Sequence, residues 1–295
     1  MSSELTSGIG LDIIIWLQEN SNGLFDLLAQ VLHFMGSSAF YLVVLSLMYW
    51  SFDKRLGLRV LFALLLGSLL NALLKELFQE PRPFQLHPEQ VTALVEQDGY
   101  GFPSGHVMQV VIVWGMAALY TGKRQWLWSV VALALLMAWG RMYAGVHYPQ
   151  DVLGGAFFGI LALLVIVPLF DFLSRVQNSM SLAQKSAVPL LLGLAIFFLT
   201  YGNPESAAAA GTIIGAGIGL LIDAKYIHFS PDGTEKQRLL RYIIGIVLVI
   251  IIYVGFGALF DTEQSLWIAA RLFLVGLTVT AAWPYLVNRI GLANG

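Results

Sequence analysis

Cysteine is absent from all 295 residues, which removes disulfides, zinc thiolates, iron–sulfur clusters and a thiol nucleophile together. Charge is scarce as well. Only 12% of residues are Asp, Glu, Lys or Arg, and a formal net charge of -2 gives no electrostatic case for nucleic acid as a partner. No lysine or arginine precedes the first apolar run, so the N-terminus does not read as a cleaved signal peptide. Period-two alternation is also missing. In lipid only helices or closed barrels satisfy the backbone, so no sheet is expected.

What fills the chain is apolar, with 58% hydrophobic residues and a mean hydropathy of +0.75, the composition of an integral membrane protein. Crossing about 30 Å of hydrocarbon takes roughly 20 apolar residues. Runs of that kind lie near 28–51, 57–78, 104–121, 126–142, 151–173, 187–203, 207–223, 240–260 and 266–288. Residues 10–20 are too short and polar to span and read as an interfacial amphipathic helix. The expected fold is an all-α polytopic transmembrane helical bundle of about nine spans. It divides into an N-terminal interfacial segment (1–27), a five-span core (28–173) and a C-terminal four-span transmembrane extension (174–295). In the extension Gly211, Gly215 and Gly219 make a small-xxx-small face suited to close helix packing.

Of sixteen Lys and Arg, all but Lys75, Arg82, Arg141 and Arg271 fall on one side of this topology. The positive-inside rule makes that side cytoplasmic. Three of the four exceptions lie among the residues with the most chemistry. Lys75, Arg82 followed by Pro83, Pro103-Ser104-Gly105-His106, Arg141, and His147 with Asp151 four residues on all map to the outer membrane face. Ionisable groups are expensive at a bilayer and mark function.

Together they offer three cations for an anion, two histidines for nucleophilic and acid chemistry, and a carboxylate to orient one of them. Ser104 is placed to cap the third span, whose free N–H groups can hold a phosphate oxygen, and Gly105 lets backbone approach closely. Arg82 and Arg141 supply forked donors and Lys75 a point charge. Pro149 puts His147 in the loop before the fifth span, with Tyr148 as cap and Asp151 in the first turn near the imidazole. Singly, the cations read as snorkelling anchors, His147 as an ordinary surface histidine on a loop, His106 as a helix-start histidine and Asp151 as a helix-start charge; their joint spacing reverses that. Arg271 is expected to pair with Asp261 or Glu263. His33 and His87 read as structural or interfacial, His87 being close to Arg82 in sequence.

Lys75-x6-Arg82-Pro83, Pro103-Ser104-Gly105-His106 and Arg141-x5-His147-x3-Asp151 resemble, in order and spacing, the three-part pattern of the type 2 phosphatidic acid phosphatase superfamily. The resemblance covers roughly residues 28–173. It implies His147 as a nucleophile forming phosphohistidine, Asp151 as its orienting partner and His106 as the acid for the leaving group. Lys75, Arg82, Ser104, Gly105 and Arg141 would hold the phosphoryl group, with no metal or other cofactor. The soluble vanadium haloperoxidases look similar at these motifs, but nine spans argue against that oxidative role. Gly140 stands where the family usually has serine, which implies altered affinity rather than lost catalysis.

The implied activity is metal-independent hydrolysis of a lipid phosphate monoester or pyrophosphate, with membrane lipids as surroundings. Phosphotransfer between lipids and non-catalytic lipid phosphate transport are the alternatives. The loop 84–102, with Glu89, Glu96 and Asp98, is expected to form a lid disfavouring bulky polyanions. The location implied is a bacterial inner membrane with an outward site, or an endoplasmic reticulum membrane with a luminal one.

Overall fold

A computed structural model of the chain describes residues 8–123, 125–200, 202–261 and 263–293. Residues 1–7 of the expected interfacial segment, and Arg124 of the cations expected on the cytoplasmic side, lie outside them. Among the described residues every regular element is helical. In order they are α1 (Ile9–Glu19), α2 (Gly23–Met35), α3 (Ser38–Leu47), α4 (Lys54–Phe78), α5 (Pro83–Leu86), α6 (Gly105–Thr121) and α7 (Gln125–Tyr143). There follow α8 (Pro149–Ser179), α9 (Leu182–Leu199), α10 (Pro204–Ile222), α11 (Glu235–Leu259), α12 (Ser265–Leu277) and α13 (Trp283–Arg289).

The expected number of spans, about nine, is approximate. Among the described residues seven helices are long and apolar enough to cross a membrane, or eight if the bent pair α2 and α3 forms one. The expected straight span 28–51 is broken by 63°. At the break Asn22-capped α2 ends at Gly36, and the Ser37 hydroxyl accepts the Phe40 N–H at 3.2 Å, starting the next helix. The other difference is α6, at 17 residues short for a span. Its Val107, Met108, Val110, Ile112, Val113 and Met116 are all buried; a helix apolar all round belongs in a core. Elsewhere Leu153, Leu164, Val165, Leu191, Ile251 and Val254 are each more than 60% exposed. A surface of that kind is compatible with lipid and not with water, so the protein is integral to a membrane.

The chain forms two compact units. One joins the residues up to Leu42 with Arg59–Leu169; the other joins Val43–Leu58 with the residues from Phe170 onward. In the first, Leu32, Val107, Val110, Met137 and Val152 make a core between α2, α6, α7 and α8. The expected amphipathic helix is α1, which buries Leu11 and Ile14 against Val91 and Tyr148 while Trp16 stays exposed. In the second unit α10 lies backbone-close on α12, where a Cβ at Gly211 or Gly215 would reach the carbonyls of Ala269 or Phe273. Lys54 and Asp223 form a salt bridge there. Arg241 donates to the carbonyls of Ser230, Pro231 and Asp232. The Arg271 guanidinium lies 4.1 Å over the Tyr253 ring, in place of the expected carboxylate pairing.

Candidate active site

The first unit gathers the motif residues from five elements. Lys75 is in the last turn of α4, Arg82 caps α5, Ser104 precedes α6 and His106 opens it, Arg141 is in the last turn of α7, and Asp151 is in the first turn of α8. Arg82, Ser104, Arg141, His147 and Asp151 are all 2% exposed or less. Buried charges are costly, and each needs partners.

His147 lies in the 144–148 turn between α7 and α8, held by Val146 N–H to Arg141 O at 3.3 Å. Pro149 starts α8, whose first N–H bonds run back to the Tyr148 carbonyl, so Tyr148 is the cap. Asp151 Oδ2 accepts the Tyr148 N–H at 2.9 Å and faces His147 Nδ1 at 3.4 Å. The opposite nitrogen, Nε2, is 3.3 Å from Arg82 Nη1. A guanidinium only donates, so Nε2 carries the lone pair and Nδ1 the proton that faces Asp151. Burial above all, then the charges of Arg82, Arg141, Lys75 and His106, holds the His147 imidazole well below its ordinary pKa, which keeps it neutral.

Arg82 spends most of its donors on backbone: Nε to Gly99 O, Nη2 to Asp98 O and Nη1 to Val146 O, each at 2.9 Å. Arg141 is held from both ends, Nη1 to His33 Nδ1 at 2.8 Å and Nη2 to Gln97 Oε1 at 2.6 Å, while its Nε is buried without a partner. Ser104 caps α6 by position only: its hydroxyl makes no cap bond and is likewise buried and unpartnered. Two orphaned donors in one buried cationic cluster are a demand for an acceptor. Gly105 is explained by its neighbour, since a Cβ there would stand 2.8 Å from Asn71 Oδ1.

His106 stacks on His33, rings 5.2 Å apart and 12° from parallel, with its Nε2 3.2 Å from the His33 carbonyl oxygen. His33 and Gln97 thus belong to the cluster although no motif contains them. His87 sits at the end of α5, its carbonyl taking the N–H groups of Gln90 and Val91. The 84–102 segment is tied down along its length. Besides Arg82 and Arg141, it is fastened by Gly101 N–H to Glu80 O (2.7 Å) and Leu94 N–H to Ala144 O (3.1 Å). Gln18 clasps Thr92 from both sides, at 2.7 and 3.1 Å. Phe84, Gln85 and residues 93–98 line a cavity of about 440 Å³ there.

Residues 56–175 match the family model described as PAP2 superfamily, and residues 207–295 match PAP2 superfamily phosphatase, transmembrane extension. Phosphatidylglycerophosphatase B of Bacillus subtilis is 30% identical over 169 residues, covering 53% of this chain and 76% of that protein. The chain belongs to the PAP2 superfamily. Lipid phosphate phosphatase delta of Arabidopsis thaliana is 26% identical over 276 residues, 82% of this chain and 65% of its own length. The crystal structure of Aquifex aeolicus LpxE aligns with a TM-score of 0.49 at 26% identity, over 55% of this chain and 96% of that one.

Where the PAP2 pattern usually has serine, Gly140 has no room for one. A Cβ would lie 2.8 Å from Leu32 Cδ1 and 3.3 Å from its Cβ. Leu32 cannot swing away, being packed among Val107, Val110, Met137 and Val152. Gly140→Ser is therefore expected to lower stability by about 1–3 kcal/mol through overpacking, more than the few tenths that helix propensity returns. Thermal unfolding in detergent checks this. Pairing it with Leu32→Ala should give less damage than the two single losses added; strict additivity would dismiss the clash.

Proposed function

We propose that this PAP2 protein hydrolyses a lipid phosphate monoester or pyrophosphate through a phosphohistidine on His147. The observation that carries the reading is the pair of unpartnered buried donors, Ser104 Oγ and Arg141 Nε, in the same cluster as an imidazole whose Nε2 faces only a cation. A tetrahedral anion satisfies all of them at once. Nε2 attacks phosphorus, the bond from phosphorus to the lipid oxygen breaks, and the leaving oxygen takes the Nδ1 proton of His106, which enters the step as the doubly protonated imidazolium. Because His106 Nε2 faces the His33 carbonyl, Nδ1 is the nitrogen that serves the leaving group. The phosphoimidazolium keeps its Nδ1–H toward Asp151. Water then attacks the same phosphorus, His106 takes the water's proton, the P–N bond breaks, and inorganic phosphate leaves. Arg82, Arg141 and Lys75 balance the charge of the equatorial oxygens throughout.

Relatives named for phosphatidylglycerophosphate and lipid phosphate support an amphiphilic substrate whose tail stays in the bilayer. Retention of Lys75, Arg82 and Arg141 against the charge rule supports an outer-face site. The test is inorganic phosphate release by the purified protein in detergent, over a panel of lipid phosphates and pyrophosphates with chelator present. Chelator-resistant release is expected from at least one. A labelled lipid product without free phosphate would turn the reading to transfer, and neither product would turn it to transport.

The state of His147 is separately measurable. With only five histidines in the chain, ¹⁵N-histidine spectra assigned by substitution can follow its titration. An ordinary histidine is half protonated near pH 6.5; His147, its pKa lowered by burial and neighbouring cations, should still be neutral there and gain its proton only at lower pH. A midpoint at or above 6.5 would contradict the neutral nucleophile.

A further inference from the structure

We propose that His33 is a positioning residue of the phosphate site, an inference that rests on reading this cluster as a phosphate site. It comes from α2, which contributes nothing to the three motifs, yet it makes three contacts within the cluster. Its Nδ1 is 2.8 Å from Arg141 Nη1, its carbonyl oxygen is 3.2 Å from His106 Nε2, and its ring lies stacked on His106. The guanidinium has donors only, so Nδ1 accepts, and His33 is the neutral tautomer with its proton on Nε2.

The effect on Arg141 is geometric. With Nη1 held by His33 and Nη2 by Gln97, the planar fork has no rotation left, and the Nε edge that lacks a partner is aimed by the other two bonds. The neighbouring residue explains how an α2 side chain comes to be there. α2 approaches α7 so closely that Leu32 fills the space a side chain at 140 would take, and one residue further His33 reaches Arg141. Where the family pattern usually places a serine hydroxyl beside this arginine, the chain places an imidazole on the arginine itself. His33 touches neither the phosphate nor the reacting atoms in this account; it acts through Arg141.

The test uses orthovanadate, a tetrahedral oxyanion, titrated calorimetrically into the full-length protein in detergent, alongside kcat/KM for a lipid phosphate. His33→Phe keeps the stacked ring and removes the acceptor. It should weaken orthovanadate about tenfold, the worth of one hydrogen bond to a charged group, and lower kcat/KM by a similar factor. His33→Asn restores an acceptor at the position of Nδ1 and should stay within about threefold of the parent, a rescue that a purely space-filling role would not give. If His33→Phe does not fold, His33→Ala replaces it in the comparison. Parent-like binding by the Phe or Ala variant, or an Asn variant as weak as they are, overturns the proposal. Failure of the parent to turn over any lipid phosphate would sink the hydrolase reading while the vanadate titration still decides His33. A parent that binds no orthovanadate overturns both.

Discussion

Replacing His147 by alanine is expected to abolish phosphate release, by about 10⁴-fold or more, the scale seen when a covalent nucleophile is removed. No neighbour can take over. His106, the other imidazole of the proposed chemistry, has its Nε2 against the His33 carbonyl and its ring face on His33, so it cannot offer a lone pair from where Nε2 of His147 stands. The substitution also leaves Asp151 with only the Tyr148 N–H and removes the acceptor facing Arg82 Nη1. Rapid quench with ³²P-labelled substrate separates the possible explanations: the parent should carry acid-labile, base-stable label on the protein before product appears, and His147→Ala none. A variant retaining a tenth of the parent rate would remove His147 from the nucleophile's role.

The second large effect is expected at a residue with no chemistry of its own. Gly36 sits at the break between α2 and α3, and a Cβ there would fall on the His106 ring, at Cδ2 and within 2.6 Å of Cγ and 2.8 Å of Nε2. The obstacle is a whole ring, stacked on one side by His33 and hydrogen-bonded at one end, so relief requires His106 to leave its place. Gly36→Val should therefore reproduce most of the loss caused by His106→Ala, between about 10² and 10⁴ in rate, the range a general acid contributes. Combining the two substitutions should cost little more than either, because they remove the same group. Two independent losses that multiply would show that Gly36 matters only for the fold. At the bend in the first span, a glycine stands where the His106 ring lies against the backbone.

The motif spacing was a sound guide to which residues meet, because each motif ends or begins a helix and helix ends on one membrane face are forced into one layer. Lys75 closing α4, Arg141 closing α7 and Asp151 opening α8 follow from hydropathy alone. Hydropathy says nothing of direction, so the 63° break at Gly36 and Ser37 was invisible in it. It also cannot separate a lipid-facing helix from one buried in protein, as with α6. His33 and Gln97 were illegible for a different reason. Each acts through a single contact on Arg141 from a distant part of the chain, and one histidine in an apolar helix or one glutamine in a loop carries no periodic signal. The one clue lay in Gly140, whose departure from the usual serine marks a close approach of α2 to α7. Ser104 looked like a helix cap by sequence, and it occupies that position, but its hydroxyl makes no cap bond and is buried without a partner.

Arg82 and Arg141 do more than carry charge: the segment 97–99 hangs on them, through the Gln97 side chain and the carbonyls of Asp98 and Gly99. Swinging that segment aside would strip three hydrogen bonds from two buried guanidiniums, at about 1.5–3 kcal/mol apiece, and would release the forks from their aim. A molecule with this loop away is thus one whose arginines are disarmed. Displacing this segment and keeping both forks aimed are therefore mutually exclusive.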